Sequence, residues 1–281
     1  PTSLELTPHD RISITSDSEF EVFPGSGTSE DPYLIDGYNI TTTSDEGIYI
    51  RGTTKYFIIR NCYVDAREYG ISIRNVAGGT ATVINNTCDN NEYGILLWHS
   101  VSSTVANNTF TNCGLKIVED TIDAYLSHTV ENNWVNGKIL GFYTNLDSTI
   151  IDEPVYGQLI LVNCTNVTVR DQILNRASIG LFLYSCTYSV IINNTCSNNS
   201  IGISLQSSGS ATVANNTCNS NDNRGLWFSF SGSSTVVNNT CSNNIDDGIY
   251  LYSSGSSTVV NNTCSNNNHR GIALYHSGSS T

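Results

Sequence analysis

The feature that most constrains this chain is a repeat. Ser210-Ala-Thr-Val-Ala-Asn-Asn-Thr-Cys218 returns as Ser233-Ser-Thr-Val-Val-Asn-Asn-Thr-Cys241 and as Ser256-Ser-Thr-Val-Val-Asn-Asn-Thr-Cys264. Cys196, Cys218, Cys241 and Cys264 are spaced 22, 23 and 23 residues apart. After each comes a polar turn, then Gly-(Ile/Leu)-x-(Leu/Phe), starting at Gly202, Gly225, Gly248 and Gly271. The same glycine stands earlier at Gly47, Gly70, Gly94 and Gly180, and Cys88 and Phe110 take the cysteine position. Each unit holds short alternating segments separated by Asn, Gly and Ser, with no helical period. A coil of this length cannot bury its own apolar face. Stacking coil on coil buries it, with strands pairing in parallel between coils.

The expected fold is therefore all-β: a right-handed parallel β-helix of about ten coils with an N-terminal cap, the hand following the preference of parallel crossovers. At about 4.8 Å per coil the rod would be about 50 Å long. Alternation places Val236, Cys241, Ile249 and Leu251 inside, and Val237, Tyr250 and Tyr252 outside. Asn238 and Asn239 form a corner, where one takes a left-handed conformation. Asn194, Asn216, Asn239 and Asn262 then stack as an amide ladder. The cysteines stack beside them as small inward hydrophobes rather than disulfides, because their Cβ vectors run parallel. Residues 1–35 read as an acidic cap, since the first fifty residues hold ten acids against Arg11 alone. Residues 36–281 read as the solenoid, with an irregular insertion around 140–156. Ser279-Ser280-Thr281 fall within a repeat, so the solenoid is expected to continue beyond them.

Charge excludes some functions. Lys+Arg number 12 against Asp+Glu 25, for a net charge of −13. No basic patch is present to neutralise phosphates, so no nucleic-acid partner is expected. No apolar run approaches the roughly 20 residues of a membrane span.

The repeats, the stretch from Asn132-Asn-Trp-Val-Asn-Gly-Lys138 to Gly157-Gln-Leu-Ile-Leu-Val-Asn-Cys-Thr-Asn-Val-Thr-Val169, and Pro24-Gly-Ser-Gly-Thr-Ser-Glu-Asp-Pro-Tyr-Leu-Ile-Asp-Gly-Tyr-Asn-Ile40 resemble the NosD-like, or CASH-type, right-handed β-helix proteins of the pectin-lyase-like superfamily. The third stretch is similar to the opening of archaeal cell-surface proteins. The resemblance implies an exported protein at the cell surface. It leaves activity open, because lyases, hydrolases, copper-site accessory proteins and structural surface proteins share the fold.

Enzymes of this fold place carboxylates, or Ca²⁺ with a basic residue, on the outer face of a sheet. The best match is Asp246-Asp247 with Asp222, Arg224 and Arg270 on neighbouring coils, and Glu68 and Glu92 in the equivalent column. These fall on a turn, where charged residues are ordinarily solvated, and no column of carboxylates crosses several coils of a strand face. No catalytic residue and no metal ligand is assigned on this reading. No cofactor is expected, with Ca²⁺ at the acidic cap the one alternative. Copper is not expected, since Met is absent and His9, His99, His128, His269 and His276 are scattered.

The outward positions of the Gly-Ile-x-Leu strands offer a contact face: Arg51, Arg74, Trp98, Tyr184, Trp227, Tyr250, Tyr252 and Tyr275. Aromatic rings in register beside Arg can stack on sugars, anchor a protein interface or stabilise the sheet. Asn39, Asn166 and Asn198 are the sequons expected to be open to glycosylation, and those of the Asn-Asn-Thr corner are closed if their first Asn faces inward. The leading expectation is a non-catalytic extracellular β-helix acting as a structural, self-associating or adhesive component of the surface or of a filament. The alternatives are a polysaccharide lyase or hydrolase and a carbohydrate-binding module.

Overall fold

The computed structural model describes residues 5–281, and the chain divides into two compact units, Pro1–Gly137 and Lys138–Thr281. In the first unit, strands of three sheets pair in parallel from coil to coil. One sheet runs through Ile12–Ile14, Glu46–Arg51, Tyr69–Arg74, Tyr93–Trp98 and Leu115–Val118. A second runs through Tyr33–Asp36, Phe57–Arg60, Ala81–Ile84, Thr104–Ala106 and Thr129–Glu131. The third includes Tyr38–Thr41, Tyr63–Asp65, Thr87–Asp89 and Thr109–Thr111. In the second unit, seven strands from Lys138–Thr144 to Ile272–Tyr275 form one wall, and six from Ile150–Ile151 to Thr258–Val260 form another. The third column there is reduced to single bridges linking Thr195, Thr217, Thr240 and Thr263. The fold is the parallel β-helix that the repeats called for.

Two boundaries differ from the sequence reading. The segment 1–35 is not a separate layer, although its first four residues lie outside the described region. Thr7–Pro8, Ile12–Ile14 and Tyr33–Asp36 each supply the first rung of a sheet. The capping element within it is a 3-10 helix, Asp17–Val22. It carries Phe20 into the core, stacked on Tyr33 at 5.2 Å and Phe57 at 5.3 Å. The segment 140–156 is a short coil rather than an insertion. Ile139 and Leu140 pair with Tyr156 and Gln158 across a register shift, and Ile150–Ile151 pairs with Thr168 and Val169. Equivalent positions such as Asn145 and Asn163 are only 18 residues apart there, which hid the coil from a search at 22 or 23.

Inward positions form one continuous apolar column in the second unit, including Leu183, Leu205, Phe228 and Leu251. Its thiols are free, and eight of the nine cysteines in the chain are buried. Burial holds Cys88 and Cys218 well above the ordinary thiol range and pushes Cys113 up to about 12, so they serve as small apolar groups.

The Asn-Asn corner divides labour between its two residues. Asn193, Asn215, Asn238 and Asn261 are exposed, with φ of 58°, 55°, 56° and 54°. Asn194, Asn216 and Asn239 are buried. The Asn239 Oδ1 accepts from the Asn216 backbone N–H at 2.9 Å and from Asn216 Nδ2 at 3.0 Å, and the pattern repeats down to Asn194 and up to Asn262. Each amide thus replaces the backbone pairing that the corner interrupts. A second ladder, Asn199–Asn221–Asn244–Asn267, and a serine ladder, Ser208–Ser231–Ser254–Ser277, do the same at the other corners.

The recurring glycine has a steric cause. A Cβ on Gly225 would lie 2.6 Å from the Gly248 carbonyl oxygen and 2.9 Å from the Cys218 carbonyl oxygen. No other residue fits where adjacent coils approach so closely.

Candidate functional site

On the long wall of the second unit, paired register aligns Trp227 with Tyr250, and Tyr252 with Tyr275. The turn preceding these strands carries charges in two columns. The Asp246 N–H donates to the Asn223 carbonyl and the His269 N–H to the Asp246 carbonyl, giving Asn223–Asp246–His269. The next residue along gives Arg224–Asp247–Arg270. A carboxylate in this position lies between the guanidinium groups of the coils on either side. The Asp247 side chain is fully buried. Arg270 grips it with a fork, Nε to Oδ1 at 2.8 Å and Nη2 to Oδ2 at 3.1 Å. Arg224 Nε lies 3.6 Å from Asp247 Oδ2, and Arg224 Nη2 lies 2.8 Å from Asp246 Oδ2. The fork with Asp247 also raises the pKa of Arg270 above its ordinary value. A carboxylate this buried persists because it is paired and hydrogen-bonded.

These ion pairs aim the guanidinium groups over the rings. Arg224 lies over Trp227 at 5.5 Å and over Tyr250 at 4.2 Å; Arg270 lies over Tyr250 at 5.8 Å and over Tyr275 at 5.1 Å. Arg224 and Arg270 come from the coils on opposite sides of Tyr250, and both reach its ring. Such contacts contribute about 0.5–2 kcal/mol each. Phe230 meets Tyr252 edge-on at 5.6 Å, and Tyr252 meets His276 edge-on at 5.8 Å. Phe230 and Tyr275 are 62% and 47% exposed. This wall therefore carries arginine-covered rings at Trp227 and Tyr250 beside the exposed Phe230 and Tyr275. Tyr184 stands on it at Ile179–Tyr184, half-buried and in register with Gln206.

Arg51, Arg74 and Trp98 do not stand on this wall. They lie on the five-stranded sheet of the first unit, in register with one another. The column that the sequence presents as continuous thus lies on two different sheets. Arg74 is the hub there, 4.8 Å from the Tyr69 ring, 5.7 Å from Tyr49 and 5.8 Å from Trp98. Its Nε donates to Ser72 Oγ at 2.9 Å. Arg51 is exposed.

Sequence reasoning missed four features. Lys116 sits 4.0 Å over the Tyr93 ring, and burial lowers its pKa to about 8. Buried Glu119 and His128 replace ladder serines: Glu119 Oε1 accepts the Ser100 N–H at 2.9 Å, and His128 Nδ1 accepts the Ser103 N–H at 3.3 Å. Asp65 and Asp89 follow the paired Val64 and Cys88, so two carboxylates do neighbour one another on a strand face. Tyr63 donates to Asp89 at 3.1 Å, and burial together with Asp89 raises the pKa of Asp65. Finally, His269 occupies the turn position that Asp246 holds 23 residues earlier, a signal that coil alignment could have exposed.

Acids of the first fifty residues are dispersed among separate partners: Asp17 with Thr53 and Thr54, Asp36 with Arg60, Asp45 with Arg67, Glu46 with Arg11. The sequon residues Asn39, Asn166 and Asn198 are exposed. The corner sequons have their first Asn facing outward, so the condition that would have closed them does not hold.

Two family models match: "Right handed beta helix region" over residues 23–110 and "Periplasmic copper-binding protein (NosD)" over residues 146–281. The fold is a parallel β-helix, and residues 146–281 are similar to NosD repeats. No curated protein matches it. Solved structures with a similar course include the A-module of the Azotobacter vinelandii mannuronan C-5 epimerase AlgE4, at 12% identity and TM-score 0.37, covering 98% of this chain and 88% of that one. The Dettilon tailspike protein is similar at 11% identity and TM-score 0.35, over 94% of this chain. The match spans 61% of the tailspike chain, less than two thirds of its length.

Copper(I) does not fit these donors. Copper(I) takes thiolate, thioether or imidazole ligands. Met is absent and the thiols line the core. Among the described residues, only Asp246, Asp247 and His269 bring three ligand groups together, two of them carboxylates.

Proposed function

We propose that this protein is a non-catalytic β-helix scaffold outside the cytoplasm, a structural, self-associating or adhesive component that meets its partner along the aromatic–arginine wall of the second unit. The observation that carries this reading is the saturation of that wall. The carboxylates nearest that wall, Asp246 and Asp247, are held by Arg224 and Arg270, and those arginines in turn cover Tyr250. A general acid or base must itself reach substrate, whereas the Asp247 side chain is buried. A wall of arginine-covered rings, with Phe230 and Tyr275 exposed, suits a protein contact. Aromatic residues and Arg dominate the energetics of such contacts.

The alternative is a carbohydrate-binding or carbohydrate-cleaving role, which the exposed Tyr275 and the polar rim would serve. Sedimentation velocity over a range of concentrations, run beside a polysaccharide binding and turnover panel, separates the two. Reversible association that weakens at least ten-fold in Phe230→Ser and Tyr275→Ser supports the scaffold reading. A monodisperse protein that binds or degrades a polysaccharide overturns it. The family description, periplasmic, and the absence among the described residues of any helix long and apolar enough to cross a membrane are both compatible with an exported protein.

A further inference from the structure

The geometry points to a divalent metal site at Asp246, Asp247 and His269, of a kind that takes a first-row ion such as Mn²⁺ or Zn²⁺. His269 Nδ1 lies 3.0 Å from Asp246 Oδ1 and 3.2 Å from Asp247 Oδ1, and all three atoms fall within 4.8 Å of one another. An ion with bonds of about 2.1 Å spaces adjacent ligand atoms about 3.0 Å apart at right angles. His269 Nδ1 therefore stands at the separation of a neighbouring corner from each of the two carboxylate oxygens. Asp247 Oδ1 also accepts from Arg270 Nε at 2.8 Å, and His269 Nδ1 pairs with Asp246 Oδ1 at 3.0 Å.

The surrounding groups brace this arrangement. Arg224 holds Asp246 through Oδ2, leaving Oδ1 turned to the histidine. Arg270 takes one lone pair of Asp247 Oδ1 and also grips Oδ2; each carboxylate oxygen has a second lone pair. Partners that fix ligating carboxylates in this way orient them for a metal. Two carboxylates balance the two guanidinium charges, so the cluster does not repel a cation before it binds. His269 is the exposed member, its side chain 57% open, so the remaining coordination positions face solvent. One imidazole with two carboxylates suits Mn²⁺, Fe²⁺ or Zn²⁺ better than Ca²⁺, which takes oxygen ligands alone.

Mn²⁺ is the probe of choice because the buried thiols do not compete for it. The free Mn²⁺ electron paramagnetic resonance signal would be titrated with wild type, His269→Ala, Asp246→Asn and His276→Ala, each checked for an unchanged melting temperature. The expected result is one Mn²⁺ per chain in wild type and His276→Ala, with at least ten-fold weaker binding in the other two. Equal Mn²⁺ binding by wild type and His269→Ala, or none by wild type, would overturn the proposal.

Discussion

Replacing Asn239 by Ala tests the physical logic of the coil corner. The substitution removes the Oδ1 that accepts from the Asn216 N–H at 2.9 Å and from Asn216 Nδ2 at 3.0 Å. It also removes the Nδ2 that donates to the Val213 carbonyl at 2.9 Å and to Asn262 Oδ1 at 3.0 Å. Asn216 Nδ2 keeps the Ile191 carbonyl, and Asn262 Oδ1 keeps the Asn239 N–H. The Val213 carbonyl keeps its place in the parallel ladder with Thr235–Val237, so the group left unsatisfied is the Asn216 N–H. Burying an unsatisfied group costs about 1–3 kcal/mol, which is the destabilisation expected of Asn239→Ala. Asn238→Ala, next door, leaves the ladder intact and places Ala at a φ of 56°, which costs about 1–2 kcal/mol. Urea unfolding followed by circular dichroism measures both. If Asn239→Ala is no less stable than Asn238→Ala, the ladder does not hold the coils together.

Two further outcomes follow from single residues. Lys116 binds its proton less tightly when folded, at about 8 against 10.5, so between those values the unfolded chain carries more protons and stability rises with pH. Lys116→Met should lose this rise and gain up to about 3 kcal/mol below pH 8; identical pH profiles for the two proteins would refute it. Gly225→Ala forces a Cβ to 2.6 Å from the Gly248 carbonyl and should cost about 1–3 kcal/mol as overpacking. An unchanged urea midpoint would show that the coils can separate there.

Much of this was legible because a solenoid repeats its environment. Val236, Cys241, Ile249 and Leu251 point inward as alternation requires, and Asn194, Asn216, Asn239 and Asn262 stack as their spacing requires. Legibility failed where the coil changed length. The 18-residue coil passed for an insertion, and the outward column of Gly-Ile-x-Leu strands was read across two sheets as one face. The charged turn was visible as Asp246-Asp247 with Arg224 and Arg270. Its interlocking was not, because that depends on which side of a neighbouring carboxylate each guanidinium takes. Lys116, Glu119 and His128 lie in the least periodic part of the first unit, where no neighbouring repeat marks a position as unusual.

Cryo-electron microscopy of native material from the source cells tests the central proposal most directly. The account predicts a filament or lattice whose repeating unit is this β-helix, with Phe230, Tyr252 and Tyr275 of each copy inside a contact. Isolated single copies with that wall open to solvent would contradict it.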